Sequence, residues 1–87
     1  ETKIDQVEIV GDFKAIQVRT VEIIKENGEE IQRGGYHRHV IMPGDDISNE
    51  SAEIQAIAAS VHTDDLKEVY AAHLAAKEEQ FKSEMQQ

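Results

Sequence analysis

The chain has 87 residues, a length that suits one domain, because two separate cores of half that size would each bury too little apolar surface to offset the entropy of ordering them. It contains no cysteine, which excludes disulfide staples, thiol catalysis and cysteine-held metals. Eighteen acidic against nine basic residues give a formal charge of -9, and this excess disfavours nucleic-acid binding, which relies on basic groups to neutralise phosphates.

The charge is unevenly spread. Residues 1–44 carry eight acids and six bases, a net of -2, whereas residues 45–87 carry ten acids and three bases, a net of -7. Glu8 interrupts the first apolar stretch, and Glu53 and Gln55 interrupt the most apolar later one at 52–61, so neither reads as a membrane span or a secretory leader. A non-disulfide compartment is the natural setting.

Residues 3–10 read as a first strand, with Ile4, Val7 and Ile9 in imperfect alternation before a Gly11-Asp12 turn signal. A second strand over about 14–25 carries the β-branched Ile16, Val18, Val21, Ile23 and Ile24, whose stiff side chains fit a pleated surface. Asn27-Gly28 then marks a two-residue hairpin, and the chain returns over about 30–42.

Pairing Glu26 with Glu29 across that turn sets Ile24 against Ile31 and Glu22 against Arg33. One extra residue near Gly34 then restores Ile16 opposite Val40 and puts Tyr36, Arg38 and Val40 on one face, which predicts a β-bulge there. Pro43-Gly44-Asp45-Asp46 ends the sheet, since Pro lacks an N–H and Gly permits a sharp bend.

Beyond it, Ser48, Asn49 and Ser51 are alternative caps for a helix at roughly 50–61 whose stripe is Ile54, Ile57, Ala58 and Val61. Thr63 caps a second helix that opens with Asp64 and Asp65, acids suited to the positive end of the helix dipole. Its stripe is Leu66, Val69, Tyr70, His73 and Leu74, and four alanines at 71, 72, 75 and 76 permit close approach. After Lys77 the pattern thins to Phe81 and Met85, so the last turns are expected to project. The fold class is therefore α+β: a small antiparallel three-stranded sheet followed by two helices, within one domain over 1–87.

Tyr36-His37-Arg38-His39 is the sharpest chemical feature. On a strand His37 and His39 share one face and Tyr36 and Arg38 the other. Two imidazoles can bind a divalent metal if a carboxylate or His62 completes the set, but two ligands do not specify a site, and a hydrogen-bonded or solvent-facing pair is the simpler reading. Tyr36 and Arg38 instead suit an interaction surface: Tyr supplies apolar area with a polar tip, and Arg a planar fork of donors.

Elsewhere the signals are plainer. Asp45 and Asp46 lack the ligand spacing of a calcium loop and read as a solvated turn. Ser48, Ser51 and Ser60 have no nucleophile elbow or base around them. His73 falls in the second helix's stripe and is expected to be partly buried in a core or an interface. No glycine pattern cradles a phosphate, and no cofactor is implied.

The segment Arg33 through Met42, with Pro43-Gly44-Asp45-Asp46, Glu53 through Ala58 and Val61-His62-Thr63, resembles a family of small proteins encoded by tailed bacteriophages and prophages. That resemblance covers roughly the last two thirds of the chain and brings no catalytic residue with it. It implies a phage source, residence in the host cytoplasm or the virion, and a structural or accessory role in which the partner is another copy of the chain or another phage protein.

The leading functional expectation is homo-oligomerisation or docking rather than catalysis. Ile57, Val61, Leu66, Val69, Tyr70 and Leu74 are expected to supply the main association surface, with the least exposed of them also completing the core, and Tyr36 and Arg38 a further patch. The competing expectation is a small metal-dependent enzyme or metal-binding regulator that uses His37 and His39.

Overall fold

The computed structural model describes the backbone of residues 1–85 and the side chains of residues 1–80. It has a three-stranded antiparallel sheet, β1 (Thr2–Val10), β2 (Ala15–Glu26) and β3 (Glu29–Ile41), followed by helices α1 (Ala52–Val61) and α2 (Asp64–Met85). Each strand and α1 begins and ends within two residues of its sequence-predicted position. The chain divides into two units, Glu1–Met42 and Pro43–Gln87.

In the first unit the strands follow one another across the sheet, so β2 is central and β1 and β3 are both edges. The β2–β3 turn has Asn27 at φ 52° and Gly28 at φ 84°, the left-handed pair that a tight hairpin between twisted strands requires. Asn tolerates this backbone and Gly is unhindered in it. β2 contributes apolar side chains to both faces of the sheet: Ile16 and Val18 are buried on one, Val21 and Ile23 on the other.

Three extra residues interrupt the pairing, all of them on the outer strands. One is Asp5 in β1, since Ile4 pairs with Thr20 and Gln6 with Arg19. In β3 the pairs Lys25–Glu30 and Ile24–Gln32 leave Ile31 over, and the pairs Glu22–Gly34 and Thr20–His37 leave Gly35 and Tyr36 opposite Val21 alone. Gly35 has φ 62°, which suits a bulge of this kind.

The expected bulge near Gly34 is therefore present, but the one at Ile31 corrects the register around it. Ile24 faces Gln32 rather than Ile31, Glu22 faces Gly34 rather than Arg33, and Ile16 faces Ile41 rather than Val40. Ile41 is accordingly buried, while Val40 is 52% exposed. The extra residue at Asp5 likewise accounts for the imperfect alternation of β1, because it brings Ile4 and Val7, three residues apart, to the same face.

In the second unit Ser51 is the cap chosen among the three candidates, its hydroxyl accepting from the Ile54 N–H at 3.3 Å. Asp46 instead accepts from the Ser48 N–H at 2.9 Å and closes the preceding turn, a bond that holds its carboxyl below the usual range. Ile54 and Ala58 are the buried positions of α1, one turn apart. His62 ends the helix, its N–H donating to the Ala58 carbonyl at 2.8 Å, and is buried at 5% exposure. Thr63 accepts from the Leu66 N–H at 3.2 Å and starts α2 as predicted.

Candidate interaction surface

The extra residues decide which side chains meet on one face of the sheet. Side chains three apart on an unbroken strand point to opposite faces, yet Glu30 and Arg33 form a two-point ion pair, with Nε and Nη2 donating to the two carboxylate oxygens at 3.1 and 2.8 Å. The extra residue at Ile31 brings them together. Asp5 is re-aimed in the same way: Arg19 Nε and Nη2 donate to its two oxygens at 2.9 and 2.6 Å.

The Asp5 side chain is only 8% exposed, and the Arg19 guanidinium holds its carboxyl below the ordinary aspartate range. The same bonds raise Arg19. Arg19 also lies 4.7 Å from the ring centre of Tyr36, a distance at which the electron-rich ring face attracts a cation. Asp5, Arg19 and Tyr36, one from each strand, thus form a single cluster.

Beside this cluster the face carries two rows across the strands, Gln6–Arg19–Arg38 and Glu8–Gln17–Val40. Together with Val18 and His39 they line a shallow depression of about 390 Å³. Gln6 Nε2 donates to Glu8 at 2.6 Å. Arg38 is exposed and has no hydrogen bond or ion pair among the described residues. Arg19 is its cross-strand partner, and the Asp5 carboxylate pairs with Arg19 alone.

The helices hold the rest of the expected surface. Ile57, Val61, Leu66 and Tyr70 are half-buried, whereas Val69 and Leu74 are 57% and 48% exposed. From Ala71 through Gln80 every side chain is exposed, the alanines included. His73 is among them, so of the two expected settings, a core or an interface, it does not occupy the core. It stacks on Tyr70 with ring centres 6.5 Å apart and contributes nothing to a core. Phe81 and Met85 lie outside the described side chains.

His37 and His39 both stand exposed on the edge strand β3. No group of three or more His, Asp or Glu side chains placed to hold a metal occurs among the described residues, and neither His62 nor a carboxylate joins the pair in such a set. The buried His62 lines a smaller hollow of about 200 Å³ with Gly44, Asp45, Ile47, Ala58, Ala59 and Lys67. Among the described residues no helix is long and apolar enough to cross a membrane.

Tyr36 and Arg38 were legible as surface residues from the alternation of β3. Asp5 and Arg19 were missed, and the one signal for them was the broken alternation between Ile4 and Val7, which marks the extra residue that turns Asp5 toward Arg19. No family model matches the chain, no curated protein matches it, and no solved structure matches its fold.

Proposed function

We propose that this protein acts by association and not by chemistry, joining copies of itself into an oligomer that serves as a small structural or accessory component. What supports the reading is the state of α2: Val69 and Leu74 are about half exposed, and the ten residues from Ala71 to Gln80 are uncovered around the whole helix. A helix gains most of its stability in water from packing an apolar face, so a length of helix with none of its side chains buried is suited to receive a partner. The resemblance of residues 33–63 to small phage proteins adds a phage assembly as the setting, with a second phage protein as the other candidate partner.

Sedimentation velocity over a wide concentration range, with circular dichroism to follow the fold, tests the reading. The wild-type chain should associate, and Leu74→Asp, which sets a charge in the apolar contact, should shift the population toward monomer while retaining the helical signal. A wild-type chain that stays monomeric at every accessible concentration overturns self-association. A folded Leu74→Asp chain that associates as before removes Leu74 from the interface.

A further inference from the structure

Within the unit Glu1–Met42, the depression of about 390 Å³ holds more hydrogen-bond donors than acceptors to meet them. A guanidinium carries five N–H donors and a side-chain amide two. Arg19 places two of its donors, Nε and Nη2, on Asp5 and makes no other hydrogen bond among the described residues. Arg38 places none, and the side-chain amide of Gln17 in the neighbouring row has no partner among them either. On the acceptor side, Asp5 is taken by Arg19, and Glu8 already accepts from Gln6 at 2.6 Å.

The two guanidiniums are held unequally. Arg19 is fixed from two sides, by its two-point pair with Asp5 and by the Tyr36 ring 4.7 Å away, so its unused Nη1 edge is ordered before any ligand arrives. Arg38 stands directly opposite on β3, where cross-strand Cβ atoms lie about 4.5–5.5 Å apart. Two cations this close repel, and an oxyanion between them replaces that repulsion with attraction to both.

The acids of the chain do not cancel this seat. Asp5 offsets Arg19. Glu8 is two strands across and two residues along from Arg38, roughly 12 Å between backbone positions, which exceeds the screening length of about 8 Å in physiological salt. The depression also has room for more than a bare ion: Val40 offers an apolar contact, and Gln17 and Glu8 offer groups that bind hydroxyls.

We propose that this depression binds a small organic oxyanion, a phosphate monoester or a carboxylate, with its charged group between Arg38 and the open edge of Arg19 and its hydroxyl-bearing body over Val40 toward Gln17 and Glu8. The planar fork of Arg38 supplies two parallel hydrogen bonds to such a group. Every residue involved lies in the sheet, so the inference goes beyond the association reading and stands or falls separately from it.

Titration of the full chain with glycerol phosphate and, separately, with malate tests it, read by backbone amide shifts in NMR spectra at constant ionic strength, and the two arms tell the head groups apart. At least one probe should shift the amides of residues 6, 8, 17, 19, 38 and 40 saturably, with a midpoint below roughly 10 mM. Arg38→Gln should weaken binding about tenfold or more, whereas Arg33→Gln, which removes a guanidinium already taken by Glu30, should leave it unchanged. Both variants should keep the wild-type circular dichroism; should Arg38→Gln disturb the fold, Arg38→Lys replaces it and should weaken binding roughly threefold through loss of the fork. Failure of both probes to saturate below that concentration, shifts scattered over the surface, or a folded Arg38 variant that binds as tightly as wild type overturns the site.

Discussion

Arg19 and Arg38 stand directly opposite each other on β2 and β3, and Asp5 neutralises only the first. Removing the carboxylate should therefore do more than delete one ion pair, because it leaves two guanidiniums facing each other. Asp5→Asn should lower the thermal midpoint, and Asp5→Asn/Arg38→Gln should recover part of the loss. Thermal melts of the wild type, both singles and the double variant check this, with equal losses in Asp5→Asn and the double variant as the contrary result.

The same pair predicts a pH dependence. The Asp5 carboxyl is held below its ordinary value of about 3.9, so its contribution is complete above that value and is lost as pH falls through the lower value it has in the fold. Glu30, lowered by Arg33, acts in the same direction. Wild type and Asp5→Asn should differ in stability near neutral pH and converge at strongly acid pH. Denaturant titrations from about pH 7 down to about pH 2 measure the difference, and a gap that stays constant through that range contradicts the assignment.

Gly34 and Gly35 are adjacent, yet only Gly35 has a positive φ, at 62°. An added Cβ at Gly35 meets the Glu22 side chain at 3.5 Å, an ordinary contact, and at Gly34 it meets nothing within 4 Å. Backbone strain and not crowding should then separate the two. Gly35→Ala should cost about 1–2 kcal/mol and Gly34→Ala markedly less. Chemical denaturation of the two variants side by side gives the comparison, and equal costs would place the bulge elsewhere.

Ile54 is wholly buried in the first turn of α1. Ile54→Ala removes three carbons from a site with no access to solvent and should cost about 2–5 kcal/mol, against a few tenths for a surface change such as Ala59→Ser. Loss of helical signal on heating or in urea reads the effect.

Most of the fold was legible because its signals are local. Asn27-Gly28 fixes one hairpin, Pro43-Gly44 ends the sheet, and Ser51 and Thr63 are caps that act within three residues. The register was not, because Ile31 carries no mark of an extra residue: an isoleucine fits a regular strand as well as a bulge, and only the pairing with β2 reveals which it is. That His73 lies outside the core was not legible for a related reason. Its helical spacing put it on the apolar stripe, but a stripe states what a helix can bury and not whether anything is there to bury it. For the surface, Tyr36 and Arg38 followed from alternation, whereas Asp5 and Arg19 meet only across two strands.

The extra residues fall at Asp5 on β1 and at Ile31 and Gly35 on β3, while β2 carries none. Both exposed rims of the sheet are thereby broken, and each is also lined with charge, Lys3 and Glu8 on one and Glu29, Glu30 and Arg33 on the other. A strand from another molecule that began to zip onto either rim would lose its ladder of hydrogen bonds within a few residues. Strand addition at an open rim has no natural end, which is how fibres grow. Here the bulges and charges oppose open-ended sheet growth at both rims.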